Sequence, residues 1–156
     1  KSPLTNFIGN DEAKLLDIRL DSSSTRKPNR KEDVFMINYL DDMVVELDLE
    51  IDKKYSFPSI GLVFFNLEMR NIAESHFYND DNSIKNNDGK ISVRAIIPKI
   101  NLNRGLYTIT VVIFKNENRG SKYLLRAQSV IEFQVTGVQV GWGDIRFKTS
   151  WTQVDN

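Results

Sequence analysis

The chain has 156 residues, of which 40% are hydrophobic and 27% charged, a composition that suits one globular domain with its own core. Lys plus Arg and Asp plus Glu each number 21, so the formal net charge is zero, which argues against general binding to nucleic acid or anionic membranes. The absence of cysteine excludes disulfides, cysteine metal ligands and a cysteine nucleophile, and no apolar run is long enough for a membrane-spanning helix. We therefore treat residues 1–156 as a single domain.

The first forty residues predict two strands joined by a polar loop. Ala13–Leu20 alternates apolar and charged residues, which favours a strand over the short helix that Asn10 or Asp11 would cap. The loop 21–33 has a serine run followed by a basic run. A solvated loop is its ordinary interpretation, and an anion-contacting loop is the alternative. Val34–Leu40 predicts the second strand.

Met43–Ile51 has the clearest alternation in the first half of the chain. Its apolar residues are predicted to face a core, whereas Glu46, Asp48 and Glu50 face outward. A solvated sheet face is the ordinary interpretation of three such carboxylates. A hydroxyl-binding or cation-binding surface is the alternative.

Ser56–Asn66 predicts the next strand, in which Gly61 indicates a bulge or a close approach of another part of the backbone. Leu67–Ile72 reads as a hairpin return. Ala73–Lys90 is predicted to be the long polar loop of the fold, and it contains the chain's one histidine, His76.

Gly105–Phe114 is the most strongly β-biased run and is predicted to be a central strand. Its alternate residues from Tyr107 to Ile113 are expected to pack in the core. The other set carries Thr108 and Thr110, and it faces either a second packed layer or a ligand surface.

Ile91–Ile97 and Tyr123–Val135 predict further strands, and Ile145–Trp151 alternates again near the end of the chain. About seven to nine short strands, turn signals at roughly ten-residue spacing and no long helix predict an antiparallel β-sandwich. An immunoglobulin-like sandwich is the expected form, and a jelly-roll-like variant is the alternative.

Catalytic chemistry finds little support in the residue types present. There is one histidine, no serine lies in a Gly-X-Ser-X-Gly motif, and the His or Cys ligands of a zinc hydrolase are missing. The acidic residues between Asp80 and Asp88 leave calcium open, although their spacing is not that of an EF-hand loop and turn formation explains them. A glycosidase needs two carboxylates placed across a sugar, and no pair stands out.

A carbohydrate-binding site draws on different residue types. Sugars bind to aromatic rings that cover their C–H faces and to planar polar side chains that pair with their hydroxyls. The candidate carbohydrate-binding residues are Arg94, Tyr78, His76, Tyr107, Arg70 and Trp142. Arg94 is preferred because it projects from a predicted strand face, whereas Tyr107 and Trp142 have core packing as an alternative and His76 a plain surface position.

Several short segments occur in the order found in one known family. They are IRLDSSS, the turn Leu40-Asp41-Asp42, PSIGLVFFN, IIPKINLNRGLYTITVVIF and FQVTG. The most specific are Ile60-Gly61-Leu62, the stretch from Ile97-Pro98 to Gly105-Leu106-Tyr107, and Phe133-Gln134-Val135. Over about residues 10–150 the sequence resembles the C-terminal carbohydrate-binding domain of Wzt-type ATPase subunits of bacterial O-antigen and polysaccharide ABC exporters.

The resemblance implies an immunoglobulin-like sandwich that binds, without catalysis, the non-reducing end of a lipid-linked O-antigen of lipopolysaccharide. It implies a longer chain in which a nucleotide-binding domain uses ATP and Mg²⁺, whereas the segment 1–156 has no Walker motif, no cofactor and no metal. It also implies a place at the cytoplasmic face of the bacterial inner membrane beside the transmembrane exporter subunit. A homodimer that exchanges Ile145–Trp151 is expected. A small glycan-active enzyme and a structural or dimerisation domain are the alternatives.

Overall fold

The structure is a computed structural model that describes residues 8–23, 29–31, 34–56, 58–115 and 123–155. Ten strands follow one another in these residues: β1 (Ile8–Gly9), β2 (Ala13–Ser22), β3 (Asn29–Lys31), β4 (Val34–Asn38), β5 (Met43–Ile51), β6 (Ser59–Asn66), β7 (Asn71–Phe77), β8 (Lys90–Ile97), β9 (Gly105–Phe114) and β10 (Tyr123–Thr136). None of the described residues forms a helix, so none of them belongs to a helix that could cross a membrane. The basic side chains predicted for the loop 21–33 lie outside the described part of the chain.

The strands form two sheets that pack face to face. The four-stranded sheet has the order β1-β2-β5-β8, and the six-stranded sheet has the order β3-β4-β10-β9-β6-β7. Strand pairs are antiparallel except for β10 with β4, which is parallel. The predicted antiparallel β-sandwich is therefore confirmed.

The inner faces of both sheets form one hydrophobic core. In β9, the predicted core set is buried from Tyr107 to Ile113, and β9 pairs on one side with β10 and on the other with β6. The Phe133 ring packs edge-on against Phe64 at 5.9 Å and stacks on Tyr107 at 5.5 Å between ring centroids. Burying each large side chain of this kind stabilises the fold by roughly 1.5–3 kcal/mol.

The strand β7 corrects the sequence interpretation, which placed 73–90 in a single loop. Asn71–Phe77 pairs with β6 and forms the edge of the six-stranded sheet. Its side chains are half-buried or exposed on both faces, so the strand lacks the alternation by which a buried strand is recognised. His76 consequently projects from a strand edge rather than from a mobile loop.

The C-terminal segment is not a strand in the single chain. Only Ile145 forms a bridge, with Leu102, and the Arg146 N–H donates to the Asn101 carbonyl at 2.7 Å. The large hydrophobic residues around this bridge are exposed: Val140, Trp142, Phe147, Trp151 and Val154. The alternation of Ile145–Trp151 therefore does not lead to pairing within one copy of the chain.

Candidate functional site

A cleft opens on the side of the sandwich where β7 and β8 form the edges of their sheets. It has a volume of about 360 Å³. Its buried lining residues are aliphatic and come from both inner faces: Val45, Leu47, Ile60 and Leu62. Its more accessible lining residues are mixed: the polar ones are Ser75, His76, Ser83 and Arg94, and the exposed Ile96 lies among them. This β7–β8 cleft is therefore apolar at its base and carries a few polar groups at its mouth, as ligand sites commonly do.

The loop after β7 is fixed against the cleft by a buried asparagine. The Asn79 backbone N–H donates to the Ser59 hydroxyl at 3.1 Å, and its side-chain amide donates to the carbonyls of Pro58 (3.1 Å) and Ile84 (2.7 Å). Asn79 is fully buried, so each of these bonds is shielded from water. The bonds place Ser83 and Ile84 in the cleft lining.

His76 and Tyr78 form a stack of parallel rings beside the cleft mouth. The ring centroids are 5.2 Å apart with an interplanar angle of 4°, and Phe114 lies 6.4 Å from His76. The His76 ring lies over Gly61, where a Cβ atom would come within 2.8 Å of His76 Nδ1. The sequence predicted a bulge or a close approach of backbone at Gly61; what approaches Gly61 is the side-chain ring of His76.

The polar atoms of His76 are set by this packing. Nε2 lies 3.1 Å from the Glu74 carboxylate, so the tautomer that fits this contact donates its N–H from Nε2. Nδ1 is buried and has no hydrogen-bond partner among the described residues. The Nδ1 edge of the imidazole is therefore closed to a ligand, and Nε2 is paired with Glu74.

Arg94 reaches the cleft mouth from the outer face of β8. Its Nε donates to Glu46 Oε2 at 3.0 Å, and Nη2 lies 2.9 Å from the same oxygen. The side chain is 64% exposed, so this ion pair contributes at most about 1 kcal/mol to stability. The contact orients a guanidinium that remains accessible to a ligand.

The outward carboxylates of β5 are neutralised by cations of the same sheet face. Arg19 lies between Asp17 and Asp48, at 2.6 Å and 2.7 Å, and the Arg19 and Ser92 hydrogen bonds hold the pKa of Asp48 below its usual value. The same two carboxylates raise the pKa of Arg19. This pairing makes the row a structural feature of the sheet surface rather than a set of open cation ligands.

The remaining predicted site residues lie away from the cleft. Tyr107 is 3% exposed and its hydroxyl donates to the Asn103 carbonyl at 2.7 Å, so it is a core residue. Burial, with a smaller effect of Asp144, raises the pKa of Tyr107 to about 12. Arg70 is exposed in the β6–β7 turn, and Trp142 is fully exposed in the C-terminal segment.

Three side chains on the outer face of the six-stranded sheet were not among the site residues predicted from the sequence. Phe114, Tyr123 and Arg126 lie on the face of β9 and β10 that also carries Thr108 and Thr110. Thr110 itself is fully buried and accepts a hydrogen bond from the Ser129 N–H, so it supports an irregularity in β10 rather than a ligand. The alternation of β9 pointed to this face, but the residues of β10 could be added only once its register was known.

The acidic residues of the 80–88 loop act in turns. Asp81 accepts from the Ser83 N–H at 3.1 Å, and Asp88 accepts from the Lys90 N–H at 3.0 Å. The described residues contain no group of three or more His, Asp or Glu side chains arranged to hold a metal ion. Turn formation therefore explains these acidic residues.

Comparisons with known proteins agree on the family. Residues 5–146 match the family model of the Wzt C-terminal domain. A solved structure titled as the crystal structure of the C-terminal domain of Wzt superposes with a TM-score of 0.75 at 16% identity, covering 96% of this chain and 88% of that one. A search of curated protein sequences finds no significant match. The chain therefore belongs to the family of Wzt C-terminal domains, which are parts of the ATPase subunits of O-antigen ABC exporters.

Proposed function

We propose that this domain binds carbohydrate without catalysis and recognises the non-reducing end of a lipid-linked O-antigen or related polysaccharide for export. The observation that supports this proposal is that His76 and Arg94 both line the β7–β8 cleft, with the Tyr78 ring stacked on His76. The stacked rings offer an apolar surface to the C–H face of a sugar, and the guanidinium offers donors to its hydroxyl or acidic groups.

The mouth of the cleft suits weak and reversible binding. Its polar groups are few, and Arg94 is solvent-exposed, so each hydrogen bond to a ligand replaces one to water. The expected dissociation constant is about micromolar to millimolar, because such a site buries little surface. Reversibility suits a domain that must release each finished chain to the exporter.

A glycan-active enzyme is the less favoured candidate. Hydrolysis of a glycosidic bond uses two carboxyl groups that flank the bond. The described residues that line the cleft include neither Asp nor Glu, and Glu74 beside it is engaged by His76. From the family to which the chain belongs, we further propose that ATP and Mg²⁺ are used by a separate domain of the full-length chain, at the cytoplasmic face of the bacterial inner membrane beside the transmembrane subunit.

The second part of the proposal is a homodimer formed through the C-terminal segment. Phe147, Trp151 and Val154 are each at least 80% exposed, and so large an apolar surface is unfavourable in water unless a partner covers it. Exchange of Ile145–Trp151 between two copies would cover it. Light scattering should report a dimer for the wild-type protein and a monomer for the Phe147→Ser/Trp151→Ser variant; a wild-type monomer would contradict this part.

Binding is tested by titrating the protein with a panel of bacterial O-polysaccharides. Tyr78→Ala and Arg94→Ala should each weaken binding by about fivefold to tenfold, since each removes one aromatic or charged contact. Trp142→Ala and Arg70→Ala are matched controls, because they remove an exposed aromatic and an exposed arginine that lie away from the cleft. An equal loss of affinity in the two cleft variants and the two control variants would contradict the proposal. Cleavage of a polymer would also contradict it.

A further inference from the structure

The outer face of the six-stranded sheet carries a second group of side chains suited to sugars, next to the cleft mouth. We call Phe114, Tyr123, Arg126 and Gln128 the outer strip. Tyr123 lies opposite Phe114 in the β9–β10 register, which places their side chains on one face. Both rings are accessible, since Tyr123 is 51% exposed and Phe114 is half-buried.

The outer strip is continuous with His76 across four neighbouring strands. His76 on β7 lies opposite Gly61 on β6, Gly61 opposite Val112 on β9, and Val112 opposite Arg126 on β10. Three strand spacings separate the first residue from the last, which is about 14 Å. This distance is long enough for more than one sugar ring of an extended chain.

The middle of this row is covered by rings, and its ends are polar. The His76 ring lies over Gly61, where a Cβ would also meet Phe114 at 3.5 Å, and Val112 is only 6% exposed. At the β10 end, Arg126 Nη1 donates to Gln128 Oε1 at 2.9 Å, which holds two exposed planar groups side by side. Planar donors and acceptors of this kind pair with vicinal hydroxyls, and the nearby rings cover C–H faces.

We propose that the outer strip binds the sugar residues that follow the terminal residue of the same glycan chain. This inference rests on the proposed function, in which the terminal residue lies at the cleft mouth beside His76 and Tyr78. Nucleic acid is a poor alternative for this surface, because the strip carries one arginine and the chain has no net charge. The expected ligand is a neutral, extended polysaccharide with hydroxyls on both ring edges.

Ligands of two lengths distinguish binding at the outer strip from binding at the cleft. The probes are the O-polysaccharide of the panel that binds most tightly and the one-repeat fragment of its non-reducing end. The wild-type protein should bind the polymer more tightly than the fragment. Tyr123→Ala and Arg126→Ala should each weaken polymer binding about fivefold and leave fragment binding unchanged, whereas Tyr78→Ala should weaken both. Arg70→Ala is the control for loss of an exposed arginine elsewhere on this sheet.

Any other outcome contradicts the proposal that the outer strip binds sugar residues. Equal affinities for polymer and fragment, with no effect of Tyr123→Ala or Arg126→Ala, would overturn this inference and leave the proposed function in place. An equal loss for both ligands would make the strip part of the terminal site and would also overturn it. A change of oligomeric state in Arg126→Ala, measured by light scattering, would assign the strip to a protein interface. If no glycan binds the wild-type protein, both proposals fail.

Discussion

The contact between Gly61 and His76 gives the sharpest test of the candidate site. In Gly61→Ala, the new Cβ would lie 2.8 Å from His76 Nδ1 and 2.9 Å from Cε1, closer than Cβ atoms normally approach other heavy atoms. The backbone at Gly61 is not in the left-handed region, so alanine fits the strand and the clash falls on the imidazole. The imidazole must therefore rotate away from Gly61, which disrupts its stack on Tyr78.

The expected effects on stability and on binding differ in size. Loss of one ring stack costs about 0.5–1.5 kcal/mol, whereas replacing a strand glycine with alanine returns roughly 0.5–1 kcal/mol of backbone entropy. The two largely cancel, so the midpoint of thermal unfolding should change by only about 2–4 °C at most. Glycan affinity should fall about fivefold or more, because the ring surface for the sugar is disordered.

The assay combines calorimetric titration, thermal unfolding and NMR of the imidazole protons. Gly105→Ala is the matched control, since its Cβ would meet Tyr107 at an ordinary 3.5 Å and β9 begins there. If Gly61→Ala keeps both the ring stack and the wild-type affinity, the assignment of His76 and Tyr78 to the site is wrong.

Three further substitutions test interactions that stabilise the fold. Tyr107→Phe should lower the free energy of unfolding by about 1 kcal/mol, because it removes the hydrogen bond to the Asn103 carbonyl. It should also abolish the fall in stability between pH 10 and about 12 that the raised pKa of Tyr107 produces, as measured by urea unfolding. Arg19→Leu should destabilise by about 2–3 kcal/mol, because the buried Asp17 carboxylate loses its cation, and adding Asp17→Asn should recover part of this loss. Asn79→Ala should raise hydrogen exchange in residues 79–84 and weaken glycan binding, whereas unchanged exchange would show that the loop does not depend on this side chain.

Strands with one buried face could be predicted from the sequence. Met43–Ile51 and Gly105–Phe114 have the bounds that their alternation indicates, because every second residue of each packs into the core. β7 could not be predicted in this way, since an edge strand has no fully buried face. The segment Ile145–Trp151 shows the opposite error: its alternation is clear, but no strand of the same copy pairs with it beyond Ile145.

The candidate site residues could be selected by residue type but not by position. His76, Tyr78 and Arg94 were selected for their chemistry; the pairing of β7 with β6 places His76 at the cleft that Arg94 also lines, and Tyr78 stacks on His76. Tyr107 was selected for the same chemistry although its alternation with Ile109 already indicated the core. Arg126 required the register of β10 across its irregularity between Ala127 and Ile131, which the sequence does not reveal.

The most direct measurement is NMR titration of the isotope-labelled protein with O-polysaccharides before and after trimming of their non-reducing ends. We predict saturable shifts for one intact polymer, centred on His76, Tyr78 and Arg94, that disappear when the terminal residue is removed. Shifts that map instead to the outer face of β5, or that are the same for trimmed and intact chains, would contradict it.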